Sequence, residues 1–496
     1  MSKFIVLSAD DNVGVALEKL KAGTRIDAAD TVVLTEDIPA GHKFALRPIP
    51  GGGDVIKYGL PIGHATADVP AGGWVHVHNT KTNLKGEDEY VFKPSAPAAV
   101  EANPEVPAFQ GYRRANGKVG IRNEIWLIPT VGCVNNTVER LADMANKRKP
   151  DGVERVVAFP HPFGCSQLGD DHENTRIILA DLSLHPNAAG ILYVGLGCEN
   201  NVMSKFREMV ESRADRCSDI AYMVTQDEAD EEVAGMALLE GLMARAATAK
   251  REPVPVSELC VGLKCGGSDG LSGVTANPLL GAFSDWLVDR GGKIVLSEVP
   301  EMFGAEVPLL NRSLDEKVFS EGVHMINDFK RYFTDHGQNI YENPSPGNKD
   351  GGITTLEDKS LGCTQKAGNR PVVDVLPYGG VVTERGVTLL SGPGNDIVAV
   401  TALTAAGAHM VLFTTGRGTP LGGPAPVVKV STNTDLARRK PHWIDFDAGK
   451  LVETGSMSGV LKEFVDVLIR IASGQETCSE RREMHDFAIF KNGVTL

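Results

Sequence analysis

From about residue 120 onward, short apolar runs alternate with longer segments whose apolar residues recur at helical spacing. Ile125–Thr130, Val153–Phe159, Gly190–Val194 and Ile220–Val224 read as buried strands. The spacing predicts helices over Val134–Lys147, Asp170–Ser183, Val202–Ser212 and Asp227–Ala249. Such alternation implies parallel βαβ units. Each of the first three strands runs into a Gly-Cys pair, at Gly132-Cys133, Gly164-Cys165 and Gly197-Cys198. The intervals of 32 and 33 residues (165 − 133 and 198 − 165) are close to one βαβ step. All three thiols are therefore expected at the carboxyl end of one sheet, where open α/β folds bind ligands.

A break at Arg251-Glu252-Pro253-Val254-Pro255 precedes a second α/β region. Its expected strands are Leu259–Leu263, Lys293–Leu296, Val372–Val375, Val387–Leu390 and Met410–Thr414. Its expected helices are Asn277–Arg290, Asn311–His336, Asn395–Ala406 and Gly459–Ala472. Tyr341–Gly368 reads as a long irregular loop, which inside a compact domain points to function. The first 90 residues show brief strands broken by glycine, with a helix expected at Asp11–Lys21. Trp74-Val75-His76-Val77-His78 alternates, which would put both histidines on one strand face. Lys93–Phe109, rich in Pro and Ala, reads as a linker. The division is thus 1–90, 91–110, 111–250 and 251–496. The fold class is α/β, a small β-rich N-terminal domain followed by a large region of two parallel-sheet domains.

Composition narrows the function. At 496 residues the chain has room for about three domains. Its net charge of −14 and lack of a basic stripe argue against nucleic acid or an anionic membrane as partner. A small anionic substrate remains compatible, because a few cations and helix N-termini can hold one. The apolar stretch Phe4–Leu7 ends at Asp10, Asp11 and Asn12, so no signal sequence is expected. Ile397–Phe413 is broken by Thr401, Thr404 and His409 and reads as a buried helix and strand, not a membrane span. Eight cysteines in a chain this long do not make a disulfide framework; a reducing, cytoplasmic setting is expected.

The candidate chemistry lies at strand ends. In Lys264-Cys265-Gly266-Gly267-Ser268-Asp269-Gly270, glycine amides could converge on an anion beside Lys264, with Ser268 and Asp269 as substrate contacts. Neither a phosphate-loop nor a dinucleotide glycine pattern occurs. Arg417, in Thr415-Gly416-Arg417-Gly418, could clamp a carboxylate, or be a solvated arginine in a glycine turn. Asn395, at the start of an expected helix, is a further substrate-contact candidate. His76 and His78 could bind a metal or transfer protons, with His42 and His64 nearby in sequence; the alternative is an exposed edge strand. No C-x-x-C occurs, so a zinc ribbon is not expected. Cys133, Cys165 and Cys198 could hold an iron–sulfur cluster, contact substrate, or simply pack as small residues. Cys217 and Cys478 read as ordinary thiols. Glu298 and Glu301 are possible metal or proton-transfer groups, with a structural role as the alternative.

A resemblance sharpens this. Gly41-His42-Lys43-Phe44-Ala45-Leu46, Val55-Ile56-Lys57-Tyr58-Gly59 and His78-Asn79-Thr80 are similar to the small SAF-type domain of sugar-acid dehydratases. Gly164–Asp171, Gly195–Asn201, Lys264–Gly270, Asn343–Asn348, Gly362–Lys366 and Gly416–Pro420 resemble the catalytic region of the altronate/galactarate dehydratase family. The resemblance covers nearly the whole chain except the linker. It implies elimination of water from an acidic sugar, D-altronate or galactarate, assisted by a divalent metal, usually Fe2+ with Mn2+ possible. An iron–sulfur dehydratase built on the three Gly-Cys loops is the alternative cofactor reading. The metal would then polarise the substrate while a base takes the C2 proton and an acid protonates the departing C3 hydroxyl. His76, His78, Lys264 and Lys366 are the expected catalytic residues, and His42, His76 and His78 the expected metal ligands. Arg417 and Lys264 suit a carboxylate. A homo-oligomer, with a dimer as the expected state, and a small sugar-acid partner follow; a non-catalytic sugar-acid-binding protein is the reading from another class.

Overall fold

A computed structural model describes residues 3–28, 30–96, 104–214, 217–493 and 495. The small domain is built of short antiparallel strands. Phe4–Ile5, Val13–Ala16, Lys43–Ala45 and Trp74–Val75 form one sheet; Asp54–Lys57, Leu60–Ala65 and Thr80–Lys81 form another. Two expectations fail here. Asp11–Lys21 is no helix, because Val13–Ala16 is a fully buried strand. The side chains ahead of it hold turns: Asp11 accepts from the amides of Leu7, Ser8 and Gly59, and Asn12 brackets Asp54 and Ile56. The strand carrying the histidines stops at Val75. Asn79 turns the chain there, accepting from the His76 amide and donating to the Trp74 carbonyl.

The middle region holds a four-stranded parallel sheet. Its strands are β1 (Glu124–Pro129), β2 (Val156–Ala158), β3 (Ala188–Gly195) and β4 (Ile220–Val224), in the order β2-β1-β3-β4. Helices α1 (Asn135–Asn146), α2 (Gly169–Asp181), α3 (Met203–Arg213) and α4 (Glu231–Ala246) follow the strands in turn. The nearly continuous apolar strand runs are explained by burial on both faces, the rule for parallel sheets. Arg251–Pro255, expected as a break, is instead a strand pairing with Ala108–Arg113. Of the expected linker, residues 97–103 lie outside the described residues.

The C-terminal region contains a seven-stranded parallel sheet. It comprises β5 (Cys260–Cys265), β6 (Lys293–Leu296), β7 (Val372–Leu376), β8 (Gly386–Leu390), β9 (Met410–Thr415), β10 (Val427–Ser431) and β11 (Phe446–Asp447). Their order is β7-β8-β6-β5-β9-β10-β11. Its principal helices are α5 (Ala276–Asp289), α6 (Glu316–Asp335), α7 (Leu356–Cys363), α8 (Asp396–Ala405) and α9 (Met457–Ala472). Tyr341–Gly368 is not irregular throughout. It holds a short helix, Pro346–Asp350, started by a Ser345 capping box, and then α7, capped by Thr355. Every residue of α7 is buried, because the small domain docks on it. Arg122 ties the middle and C-terminal regions together through a paired bond to Glu480 at 2.7 and 2.9 Å. Among the described residues, no helix is long and apolar enough to cross a membrane.

Candidate functional site

The carboxyl ends of β5, β6 and β9 meet α7 and the small domain, and charged side chains collect at that junction. Two lysines from the small domain reach across it. Lys43 and Lys57 bind the two oxygens of Asp358 on α7 at 2.8 and 2.9 Å, and Lys43 also donates to the Gly352 carbonyl. All three side chains are essentially inaccessible to water. Burial brings Lys43 down to about 8; it also opposes the charge on Lys57, but there Asp358 and Tyr58 prevail and push the pKa up. Burial alone would raise Asp358, yet the two ammonium groups hold it far below the usual carboxylate range. Docking is close elsewhere too: a Cβ on Gly270 would lie 1.9 Å from the Gly41 carbonyl oxygen, so only glycine fits.

A second buried network follows β5. Lys264 donates to Glu298 at 2.6 Å and to the Cys265 carbonyl, and pairs with Asp396 at 2.7 Å. Lys366 donates to Cys265 Sγ at 2.8 Å, and Lys359 pairs with Glu301 at 2.8 Å. Glu298 sits at φ 70°, a left-handed conformation costly for a residue with a side chain, and its carboxylate accepts from the Cys265 amide. Burial and the neighbouring Glu301 raise Glu298. Burial would raise Glu301 as well, but Lys359, Lys366 and Lys264 hold it at about 2. Lys264 and Lys366 thus come together as expected, but each is consumed by internal ion pairs, and neither lines the cavity described next.

That cavity, about 430 Å3, opens between the small domain and the ends of β5 and β9. Asp269, Arg417, Asn433, Asp435 and Arg439 supply its polar wall, and Gly41 and Gly351 its floor. Arg417 is exposed, donating only a long bond of 3.4 Å to the Gly347 carbonyl. Asp269 also borders a second hollow of about 10 Å3 beside Lys57, Asp358 and Lys359. Its carboxylate accepts from the Leu271 amide, Ser272, Thr432 and Asn433. Burial nevertheless raises its pKa above the ordinary value. Two expectations about this loop are corrected. The amides of Gly266 and Gly270 are taken by the carbonyls of Thr414 and Gly351, so they do not form an anion cradle. Ser268 is buried, and its carbonyl accepts from Asn348. Asn395 is corrected as well: its side chain caps α8 by accepting from the Val398 amide.

The histidines do gather, though not on a strand. His42 lies 4.9 Å from His76 between ring centroids, and Trp74 stacks on His76 and contacts His78. They do not make the expected metal site. His42 accepts from the Trp74 indole on Nδ1 and donates to the Asp350 carbonyl through Nε2, so neither nitrogen is free to ligate. His76 keeps a buried Nδ1 without a partner, and burial drives its pKa down to about 3. His78 is exposed, and His64 bonds to Asn83. Among the described residues, one group places three ligand atoms within 4.8 Å: Cys265, Glu301 and Cys363. It does not suit a catalytic divalent ion. Lys366 and Lys359 already occupy two of the donors, and the hydrogen bond with Cys265 and burial push the Cys363 thiol up, whereas a metal needs the thiolate. The residues sequence reasoning missed are Lys43, Lys57, Asp358 and Lys359. A signal existed, since Lys43 and Lys57 stand at the ends of short strands, each beside apolar residues.

Cys133, Cys165 and Cys198 follow β1, β2 and β3 and are exposed. Their loops touch: the Gly132 amide donates to the Phe163 carbonyl at 2.8 Å, and the Asn201 amide to the Gly164 carbonyl at 3.1 Å.

Known proteins place the whole chain. Residues 2–83 match the altronate/galactarate dehydratase SAF domain, and residues 111–247 the second domain of D-galactarate dehydratase/altronate hydrolase. Residues 256–495 match the D-galactarate/altronate dehydratase C-terminal family. The chain is 53% identical to the altronate dehydratase of Escherichia coli (strain K12) and 51% to that of Bacillus subtilis (strain 168), each over the full length of both chains. It is 33% identical to the galactarate dehydratase (L-threo-forming) of Escherichia coli (strain K12), covering 98% of this chain and 96% of that one.

Proposed function

The chain belongs to the altronate/galactarate dehydratase family, and from that premise we propose that it is a hydro-lyase removing water from D-altronate to give 2-dehydro-3-deoxy-D-gluconate. The observation that carries the choice of substrate is the end-to-end identity of 53% and 51% with two altronate dehydratases, against 33% with a galactarate dehydratase. Release of 2-keto-3-deoxy acid from a panel of aldonates and aldarates tests it. Altronate should exceed galactarate in kcat/KM by about tenfold or more. The reverse order would assign the chain to the galactarate branch, and no release from any sugar acid would favour a binding protein.

The 430 Å3 cavity is the proposed substrate site, because it is open, polar and walled by both domains. Taking the C2 proton loads negative charge onto the adjacent carboxylate, so the site needs a fixed cation at that end. Arg417 supplies it, its fork matching two carboxylate oxygens. Asp269 is the acid–base group, as the half-buried carboxyl of the cavity wall whose pKa desolvation raises. The Lys264–Glu298 and Lys366–Cys265 networks fix the loop that carries Asp269 and act as positioning groups.

Arg417→Lys tests the clamp. The charge survives and the paired geometry does not, so kcat/KM should fall by about tenfold or more with an unchanged thermal melt, since the native side chain is exposed. Unchanged kinetics would remove Arg417 from the site.

A further inference from the structure

The substrate site uses none of the three cysteines at the far sheet, and their surroundings are unusual. β2, β1 and β3 are neighbours, with Pro129 opposite Val194 and Leu127 opposite Ala158. Cys133 and Cys198 each stand four residues past that first pair (133 − 129 and 198 − 194), so the register brings their loops out side by side. The Cys165 loop is bonded to both: Phe163 to Gly132, Gly164 to Asn201, and the Ser166 amide to Asn200 Oδ1 at 2.8 Å. A Cβ on Gly164 would lie 2.0 Å from the Thr130 carbonyl oxygen, so this loop is pressed against the end of β1.

Helices α1, α2 and α3 begin two, four and five residues after these cysteines, and none has a side-chain cap; Val134, Leu168 and Val202 stand at the capping positions. Asp230, Asp315, Thr355, Asn395, Asn433 and Ser456 each accept from a first-turn amide of the helix they precede, whereas α5, after Thr275, is uncapped like these three. The uncapped first turns of α1 and α3, which hold no acidic residue, put partial positive charge on the side of the sheet where these loops end, which suits an anionic assembly there. Leu168 and Val202 are 52% and 46% exposed, an apolar rim with no internal partner surface of its own. Among the loops, Asn201 is buried, donates to the Thr130 carbonyl, and leaves Oδ1 without a partner.

We propose that Cys133, Cys165 and Cys198 bind an iron–sulfur cluster of the [4Fe–4S] class, held by three protein thiolates with one iron left open. A cluster carries each thiolate on a separate iron, which suits three cysteines delivered by three loops bonded to one another. Gln226 Nε2, 3.7 Å from Cys198 Sγ, is placed to hydrogen-bond a ligating sulfur. Asn201, three residues after Cys198, leaves a buried acceptor in this loop that a bound group with a donor could satisfy. Binding of the cluster does not rest on the hydro-lyase reading.

The test is the full chain, purified without oxygen and reconstituted with ferrous iron and sulfide, read by visible charge-transfer absorption and by iron and acid-labile sulfide content. About four of each per chain are expected. Cys133→Ser, Cys165→Ser and Cys198→Ser should each lose most of the absorption and sulfide while melting like the parent, and Cys217→Ser should retain both. Iron or zinc bound without sulfide, or equal sulfide in the Cys198→Ser and Cys217→Ser variants, would overturn the proposal. Because no readout is turnover, a chain that holds the cluster yet ignores altronate would refute the substrate reading and leave this one standing.

Discussion

Asp358→Asn should be among the most destabilising single substitutions in the chain, costing about 3–5 kcal/mol. Asp358 faces two ammonium groups in a place with no access to water, and the neutral amide would leave both uncompensated. The loss should fall on the docking of the small domain, because both lysines come from it and the carboxylate from α7. Chemical denaturation followed by the fluorescence of Trp74, a small-domain reporter, measures it. A second variant guards the interpretation: Asp358→Asn with Lys57→Met removes one of the stranded charges and should recover part of the loss. Equal stability of Asp358→Asn and the parent would show that water reaches the junction. The acid limb has the same origin. A carboxylate held below its unfolded value contributes stability present above that value and lost as pH falls through the folded one. Glu480, held at about 2 by Arg122 and Arg155 against burial, should therefore weaken the clamp between the middle and C-terminal regions as pH drops from about 4.5 toward 2.

The parallel sheets were legible because their strands are apolar on both faces and their helices follow at fixed intervals. Glu124–Pro129, Ala188–Gly195, Cys260–Cys265 and Met410–Thr415 are buried throughout, as strands covered on both faces are. The small domain was less legible for the same physical reason turned around. Lys43-Phe44-Ala45 is a strand with all three residues buried, since the face that would meet water meets α7 instead. Alternation, the usual strand signal, disappears when a second domain covers the outer face. The helix expected at Asp11–Lys21 and the strand expected through His78 both failed at turns held by Asp11 and Asn79, side chains whose bonding partners are distant or backbone atoms. Lys264 and Lys366 were found by loop position, but their ion pairs with Glu298 and Asp396 are long-range and leave no spacing in the sequence. Arg417 and Asp269 share a cavity wall although 148 residues separate them (417 − 269), which is why one was assigned to the clamp and the other only to substrate contact.

Asp269→Asn carries the largest expected effect on turnover. If this carboxyl moves the proton, kcat should fall by about 10²–10⁴-fold, the range for losing a positioned acid–base group. The substitution also disturbs structure, because the amide can accept at one atom only, whereas the carboxylate accepts at both: Leu271 and Ser272 at Oδ1, and Thr432 and Asn433 at Oδ2. Some destabilisation is therefore expected on either reading, and a thermal melt alone does not separate them. The pH profile does. Burial raises Asp269, so the limb of kcat that rises with pH should lie above the ordinary aspartate range in the parent and be absent from the variant. Exchange of the C2 hydrogen of altronate with deuterated solvent gives the second reading, since a base that takes this proton must control it. A folded Asp269→Asn protein with near-normal kcat, an unmoved pH limb and undiminished exchange would return Asp269 to a purely structural part, tying the β5 loop to Thr432 and Asn433.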